Sequence, residues 1–305
     1  VAAMTNKNKP DDVIQLSAFL KLLWGRKILI IATALIVGAA TYVYALTLPN
    51  IYRSEVITIV PNSQNGPSLS GLGGSIGGLV GLADLGGGDS AKLRLEQVEE
   101  LIKSRSFLQN FIEKYELKPD LYAAVEWDEQ SNTLRYDPEL YDVESGEWLV
   151  REPTSWQLYG RFLEAMQVIV LFNKNMLKIN IDHVSPHVAQ KWATWLILEL
   201  NSFYKTRSAR EANESIAYLE NAVEATDLIF MRDVFATLLE EQIKKDMLVE
   251  VKTEYAFETL APAVLPESKS HPKRTLMAIL GAIFGGLLGV AIASALGLKQ
   301  RFGKD

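Results

Sequence analysis

The chain has 305 residues, a formal net charge of -6 and a sequence pI near 5.3, so it presents no overall basic surface that would draw nucleic acid. It contains no cysteine, which excludes disulfides, thiolate catalysis and cysteine-held metals. Hydrophobic residues make up 48% of it, and they are concentrated in two long runs rather than spread evenly.

Residues 1–27 are expected to be a cytoplasmic N-terminal segment. Val13, Leu16, Leu20 and Leu23 fall at helical spacing there and predict a short amphipathic helix at the membrane surface. Residues 28–48 follow without a charge. At 1.5 Å rise per residue, about 20 such residues cross a bilayer core of about 30 Å, so this run is predicted to be the first transmembrane helix. It is longer than the apolar core of a signal peptide, about 7–15 residues, and no small-x-small cleavage site ends it, so it is read as an uncleaved anchor.

Residues 49–274 are expected to form one periplasmic domain. Its start, IYRSEVITIV, predicts a strand ending at Pro61. Gly66 to Ser90 is glycine-rich but has neither GK[ST] nor GxGxxG, so it reads as a loop or a patch near the membrane and not as a phosphate cradle. Ala91 to Glu116 predicts one helix with Leu93, Leu101, Leu108, Phe111 and Ile112 on its apolar face. Pro119 to Pro153, rich in Tyr, Trp, Asp and Gly, reads as an irregular excursion with short extended pieces, such as Gly146 to Val150. Thr154 to Met166 reads as a helix, and Gln167–Phe172 and Asn175–Asp182 as two strands around Asn173-Lys174.

Ser185-Pro186 is a helix start, an N-cap with proline at the first helical position. No Gly or Pro occurs from His187 to Ala261, and one straight helix to Val249 would reach roughly 95 Å. Both ends of the domain must return to one membrane face. A break is therefore expected at Thr226-Asp227, making a helical hairpin, with Glu254 to Leu260 as a returning strand. Pro262, Pro266 and Pro272, with Lys273, mark the membrane approach at 262–274.

Residues 275–298 predict the second transmembrane helix, with 299–305 as a cytoplasmic tail. Gly281, Gly285, Gly289 and Ala293 recur every four residues, a stripe where another helix can approach closely; Ala34 and Gly38 of the first span are expected to face it. Lys21, Arg26 and Lys27 before the first span, and Lys299, Arg301 and Lys304 after the second, place both termini in the cytoplasm. Lys273 and Arg274 are basic residues on the other side. The fold class is thus an α/β periplasmic domain with a protruding long helical hairpin, anchored by two transmembrane helices.

No catalytic constellation is read from the sequence. His183 and His187 are four apart with Asp182 adjacent, a spacing that holds zinc on one helix, but Pro186 and a strand end fall between them. Glu99-Glu100 and Glu240-Glu241 are helix neighbours that diverge by about 100° and do not face one substrate. GxSxG is absent. The expectation is a protein that is not an enzyme and uses no metal or cofactor.

Several stretches resemble the polysaccharide co-polymerases, the Wzz chain-length determinants. They are DDVIQLSAFLKLLWGRK before the first span, YRSEVITIV after it, SPHVAQKWATWLILELNSFY, the Tyr/Trp-rich excursion, and AYLENAVEATDLIFMRDVFATLLEEQIKKDMLVEVKTEYAFETLAPAVLPESKSHPKR. The family's most specific mark is Pro-Lys, eleven residues, then Gly-x3-Gly; Pro272-Lys273 is followed at that spacing by Gly285 and Gly289. Pro262 and Pro266 stand one residue further apart than is usual, and His271 separates Ser270 from Pro272. The resemblance implies a ring-shaped homo-oligomer of the inner membrane. It would set how far the Wzy polymerase extends O-antigen of lipopolysaccharide, with the growing lipid-linked polysaccharide as a further partner that the resemblance suggests. Without a Walker A sequence or a tyrosine-rich tail, the chain resembles the kinase-free branch. The alternative is a capsule or exopolysaccharide co-polymerase, or an export component, that works with a separate kinase.

Overall fold

The structure is a computed structural model that describes residues 24–60, 87–225 and 228–302. The amphipathic segment before Trp24, most of the glycine-rich stretch and the residues Thr226-Asp227 lie outside the described residues. Two compact units emerge: one joins Val1–Pro49 with His271–Asp305, the other is Asn50–Ser270.

Helix α1 (Lys27–Thr47) belongs to the first unit. The second unit is built on a four-stranded antiparallel sheet. Its chain order starts with β1 (Tyr52–Ile59), whose alternation buries Ser54, Val56 and Thr58 on one face. Helices α2 (Gly87–Lys103) and α3 (Arg105–Lys114) follow. They replace the single helix expected over Ala91–Glu116. Ser104 is extended, at φ -65° and ψ 142°, and its hydroxyl accepts the Phe107 N–H, so it ends one helix and caps the next. The last residues of the glycine-rich stretch, from Gly87, are already helical.

The excursion is more ordered than its composition suggests. It holds α4 (Lys118–Tyr122), the hairpin β2 (Ala124–Asp128) with β3 (Thr133–Tyr136), and the two-residue pair β4 (Tyr141–Asp142) with β5 (Glu147–Trp148). Tyr122, Tyr136, Tyr141 and Trp148 form a chain of ring contacts that ties these pieces together. Helix α5 (Ser155–Ala165) starts with a capping box between Thr154 and Gln157. Strands β6 (Met166–Leu171) and β7 (Met176–His183) pair around a 3-10 turn that ends at Asn175, whose φ of 51° is left-handed.

Helix α6 runs 40 residues, Pro186–Ala225, and α7 spans Ile229–Val251. The long helix therefore ends just before the expected break. The two run antiparallel: Lys205 of α6 donates to the carbonyl of Glu250, at the far end of α7. Strand β8 (Glu258–Ala261) returns along β1 and completes the sheet order β6-β7-β1-β8. It starts four residues later than expected, because the backbone of Ala256 and Phe257 is held by the Asn201 side chain instead of by a neighbouring strand.

The first half of α6 lies on the inner sheet face. Trp192, Leu196 and Leu200 meet Val56, Leu177, Ile179 and Ile181, while Leu108, Phe111 and Phe162 close the core from the other side. Beyond Asn201 burial on α6 thins to Ala212 and Leu219, so this half of the hairpin is supported mainly by α7. The chain ends in α8 (Arg274–Phe302), in the first unit with α1.

Candidate functional site: the helix pair and the proline approach

Helices α1 and α8 are each long and apolar enough to cross a membrane, over Lys27–Thr47 and Arg274–Leu296. Only 11% and 17% of their most apolar windows are buried, whereas the core helix of a soluble protein would be mostly buried. Ile31, Leu35, Val43, Phe284 and Leu287 point outward and suit contact with lipid chains.

The buried residues form one stripe on each helix. On α8 these are Gly281, Gly285, Gly289 and Ala293; on α1 they are Gly38 and Ala45. The helices are antiparallel. A Cβ built on Gly285 would stand 2.7 Å from the Thr33 carbonyl oxygen and 3.0 Å from the Ala34 Cα; one on Gly289 would stand 2.9 Å from the Ile30 Cα. At Gly281 the neighbour is the Thr41 side chain, and Gly38 lies against Ala282. The backbones therefore touch at Gly285 and Gly289, which only a residue without a side chain permits. Thr33 and Thr41 turn their hydroxyls back onto their own helix, to the carbonyls of Leu29, Ile30 and Val37. Among the described residues, no buried side-chain polar atom at the seam is left without a partner.

At the start of α8, Arg274 donates from Nε to the Ala45 carbonyl in the last turn of α1, at 3.1 Å. A cation there meets the negative end of the helix dipole and an otherwise unpaired carbonyl. This contact explains a basic residue on the side where the flanking charge pattern did not call for one. Pro272 is half-buried and Lys273 exposed.

In the second unit, Pro262 is exposed and Pro266 half-buried. The carbonyls between them are held from two sides: Gln190 of α6 donates to Ala263 O at 3.0 Å, and the Ser54 hydroxyl of β1 to Val264 O at 2.9 Å. Farther on, Ser270 N–H donates to Ile51 O. The proline segment is thereby laid beside the start of β1. Sequence reasoning found the prolines and noted Arg274 only as a flanking charge, but missed Ser54, Gln190 and the contact Arg274 makes, since these roles depend on partners more than 70 residues away.

The two histidines weighed as metal ligands do not meet. His187 lies edge-on to Trp127, while His183 is buried against Trp192. His183 Nε2 donates to the Asp120 carbonyl at 2.9 Å, and Nδ1 accepts the Ser185 N–H at 3.0 Å. Both nitrogens are satisfied only in the neutral ring, and burial pushes the imidazole pKa down. Because the folded pKa lies below the unfolded one, the unfolded state binds more protons in acid. The His183 contribution is fully present above the unfolded value of about 6.5 and is lost as pH falls through the folded one. Denaturant midpoints should therefore fall between pH 7.5 and pH 5, and the fall should shrink in His183→Gln. An equal fall in both proteins would show that other groups set the acid sensitivity.

Residues 12–115 match the Wzz family, described as "Chain length determinant protein". The matched region takes in α1, β1, α2 and α3, and upholds the family resemblance read from the segments on either side of the first span. The Wzz-like stretch from Ala217 to Arg274 lies beyond the matched residues. Among solved structures, a "full-length bacterial polysaccharide co-polymerase" is similar at 12% identity and a TM-score of 0.40, over 96% of this chain and 100% of that one. No curated protein matches.

Proposed function

We propose that this protein is a non-catalytic regulator of polysaccharide chain length, acting as an oligomeric scaffold in the bacterial inner membrane beside a Wzy-type polymerase. The observation that carries the reading is the Wzz match over residues 12–115. The paired helices α1 and α8 support it, since they supply two candidate spans that pack on each other and leave apolar faces for lipid. The polymer is O-antigen of lipopolysaccharide in this proposal. Deleting the protein is expected to leave synthesis active and to broaden or shorten the ladder of chain lengths on a gel. Loss of all polymer would assign the protein to synthesis or export and overturn the reading.

The topology belongs to the same proposal: residues 1–27 and 299–305 in the cytoplasm, spans at 28–48 and 275–298, and residues 49–274 in the periplasm. Alkaline phosphatase fused after Glu116 is expected to be active, and fused after Lys304 inactive. The reverse pattern would exclude this orientation.

A further inference from the structure

A groove runs along α6 where α2 and α3 lean on it. It encloses about 290 Å³, and its lining includes Ser106, Phe107 and Asn110 on one side and Phe203, Arg207 and Arg210 on the other. The floor is aromatic. Phe107 is buried, and Phe203, 38% exposed, meets it edge to face at 6.3 Å. The rim is polar, with an amide, hydroxyls and two guanidinium groups.

The charges in the groove do not cancel. Glu199 is the one carboxylate in its lining, and Lys114 pairs with it. Arg207 pairs with Glu211 on its own helix. Arg210 is exposed and has no ion pair or side-chain hydrogen bond among the described residues. The surplus charge in the lining is therefore positive, within a chain whose net charge is -6.

The track also continues toward the start of α6. Tyr115 stacks on Trp195, with ring centroids 4.5 Å apart and planes 18° from parallel, and the Lys191 ammonium lies 4.5 Å from the Trp195 ring. Lys191, Trp195, Glu199 and Phe203 recur every four residues on α6, so they line one face. From Lys191 to Arg210 that face extends roughly 28 Å. An elongated track of that length suits a polymer. The exposed Phe203 ring offers an apolar surface to the C–H face of a pyranose, amide and hydroxyl groups pair with sugar hydroxyls, and a guanidinium fork fits a carboxylate. The walls are helices whose backbone groups are already paired, so they offer no strand edge to an extended peptide.

We propose that this groove binds a segment of polysaccharide that carries carboxylate groups. The proposal rests on the chain-length reading for the presence of such a polymer, and it goes beyond that reading by assigning the site and the chemistry of the sugar. The test is binding of hexagalacturonate to the full-length protein in nanodiscs, with maltohexaose as the neutral counterpart, followed by tryptophan fluorescence and calorimetry. Arg210→Gln is the informative variant, because Arg210 supports no contact that folding needs. Saturable hexagalacturonate binding is expected, about tenfold tighter than maltohexaose and about tenfold weaker in Arg210→Gln.

No saturable binding, equal binding of the two sugars, or equal binding by the variant would overturn the proposal. So would a change of oligomer size in Arg210→Gln, which would assign this face to a neighbouring copy. The deletion ladder separates the two readings. A shifted ladder without hexagalacturonate binding defeats the groove alone. Binding with an unchanged ladder defeats the length-control reading and leaves the sugar site standing.

Discussion

Replacing both Gly285 and Gly289 with leucine is expected to break the pairing of α1 with α8. At these positions the space that a side chain needs is filled by the backbone of Ile30, Thr33 and Ala34, together with the Thr33 hydroxyl and the Val37 Cβ, so turning a side chain away would not clear it. Overpacking costs about 1–3 kcal/mol per site where neighbours give way. Backbone on a regular helix gives way only if the whole helix moves, so both sites should lie at the upper end.

The absence of native cysteine makes a direct measurement simple. A Cβ on Gly286 would stand 3.9 Å from the Ala34 Cβ, within the separation of about 3.5–4.5 Å that a disulfide needs. The pair Ala34→Cys and Gly286→Cys should therefore cross-link efficiently in the otherwise unaltered protein, and poorly once both glycines are leucine. The chain-length ladder should be disturbed in the same variant at matched protein levels. Retained cross-linking would mean that the helices tolerate the bulk. A normal ladder after lost cross-linking would mean that this pairing does not matter for function.

Asn201→Ala is expected to be the most damaging single change in the second unit for its size. Asn201 is 4% exposed and sits where α6 leaves the core. Its carbonyl accepts the N–H groups of Ala256 and Phe257 at 3.0 and 2.9 Å, and its amide donates to Phe257 O at 3.0 Å. One side chain thus serves three backbone groups of the segment returning from α7. Alanine would leave all three without a partner, and a buried unsatisfied group costs about 1–3 kcal/mol. Ala256 is only part-buried and water can reach it, so the expected loss is about 3–5 kcal/mol in all. Guanidinium unfolding of the full-length protein, followed by tryptophan fluorescence, measures it. A change below about 0.5 kcal/mol, the scatter of neutral surface substitutions, would show that the segment finds other partners.

These two expectations differ in how far the amino-acid sequence reveals them. The glycine stripe is legible because helical spacing is local: residues four apart share a face whatever surrounds them. The two apolar helices are legible because their length and composition are local properties of the chain. The helix starts at Ser155 and Pro186 are legible because a capping hydroxyl and the N–H it accepts lie within one turn. The paired strands β6 and β7 are legible because a short turn joins them.

The rest was settled across distance. Ser104 divides α2 from α3 with neither Gly nor Pro to signal it; the two helices separate so that Ile102 can bury with α2 and Phe107 with α3. The short start of β8 follows from Asn201, 56 residues earlier. The placement of the proline segment follows from Ser54 and Gln190, 210 and 73 residues away from the carbonyls they hold. His183 shows in the sequence only a spacing to His187 that Pro186 and a strand end spoil for a metal; its actual partner, the Asp120 carbonyl, carries no mark there. A polar side chain carries no mark in the sequence of which distant backbone group it will satisfy. That choice is made only when packing excludes water and leaves each buried donor and acceptor one available partner.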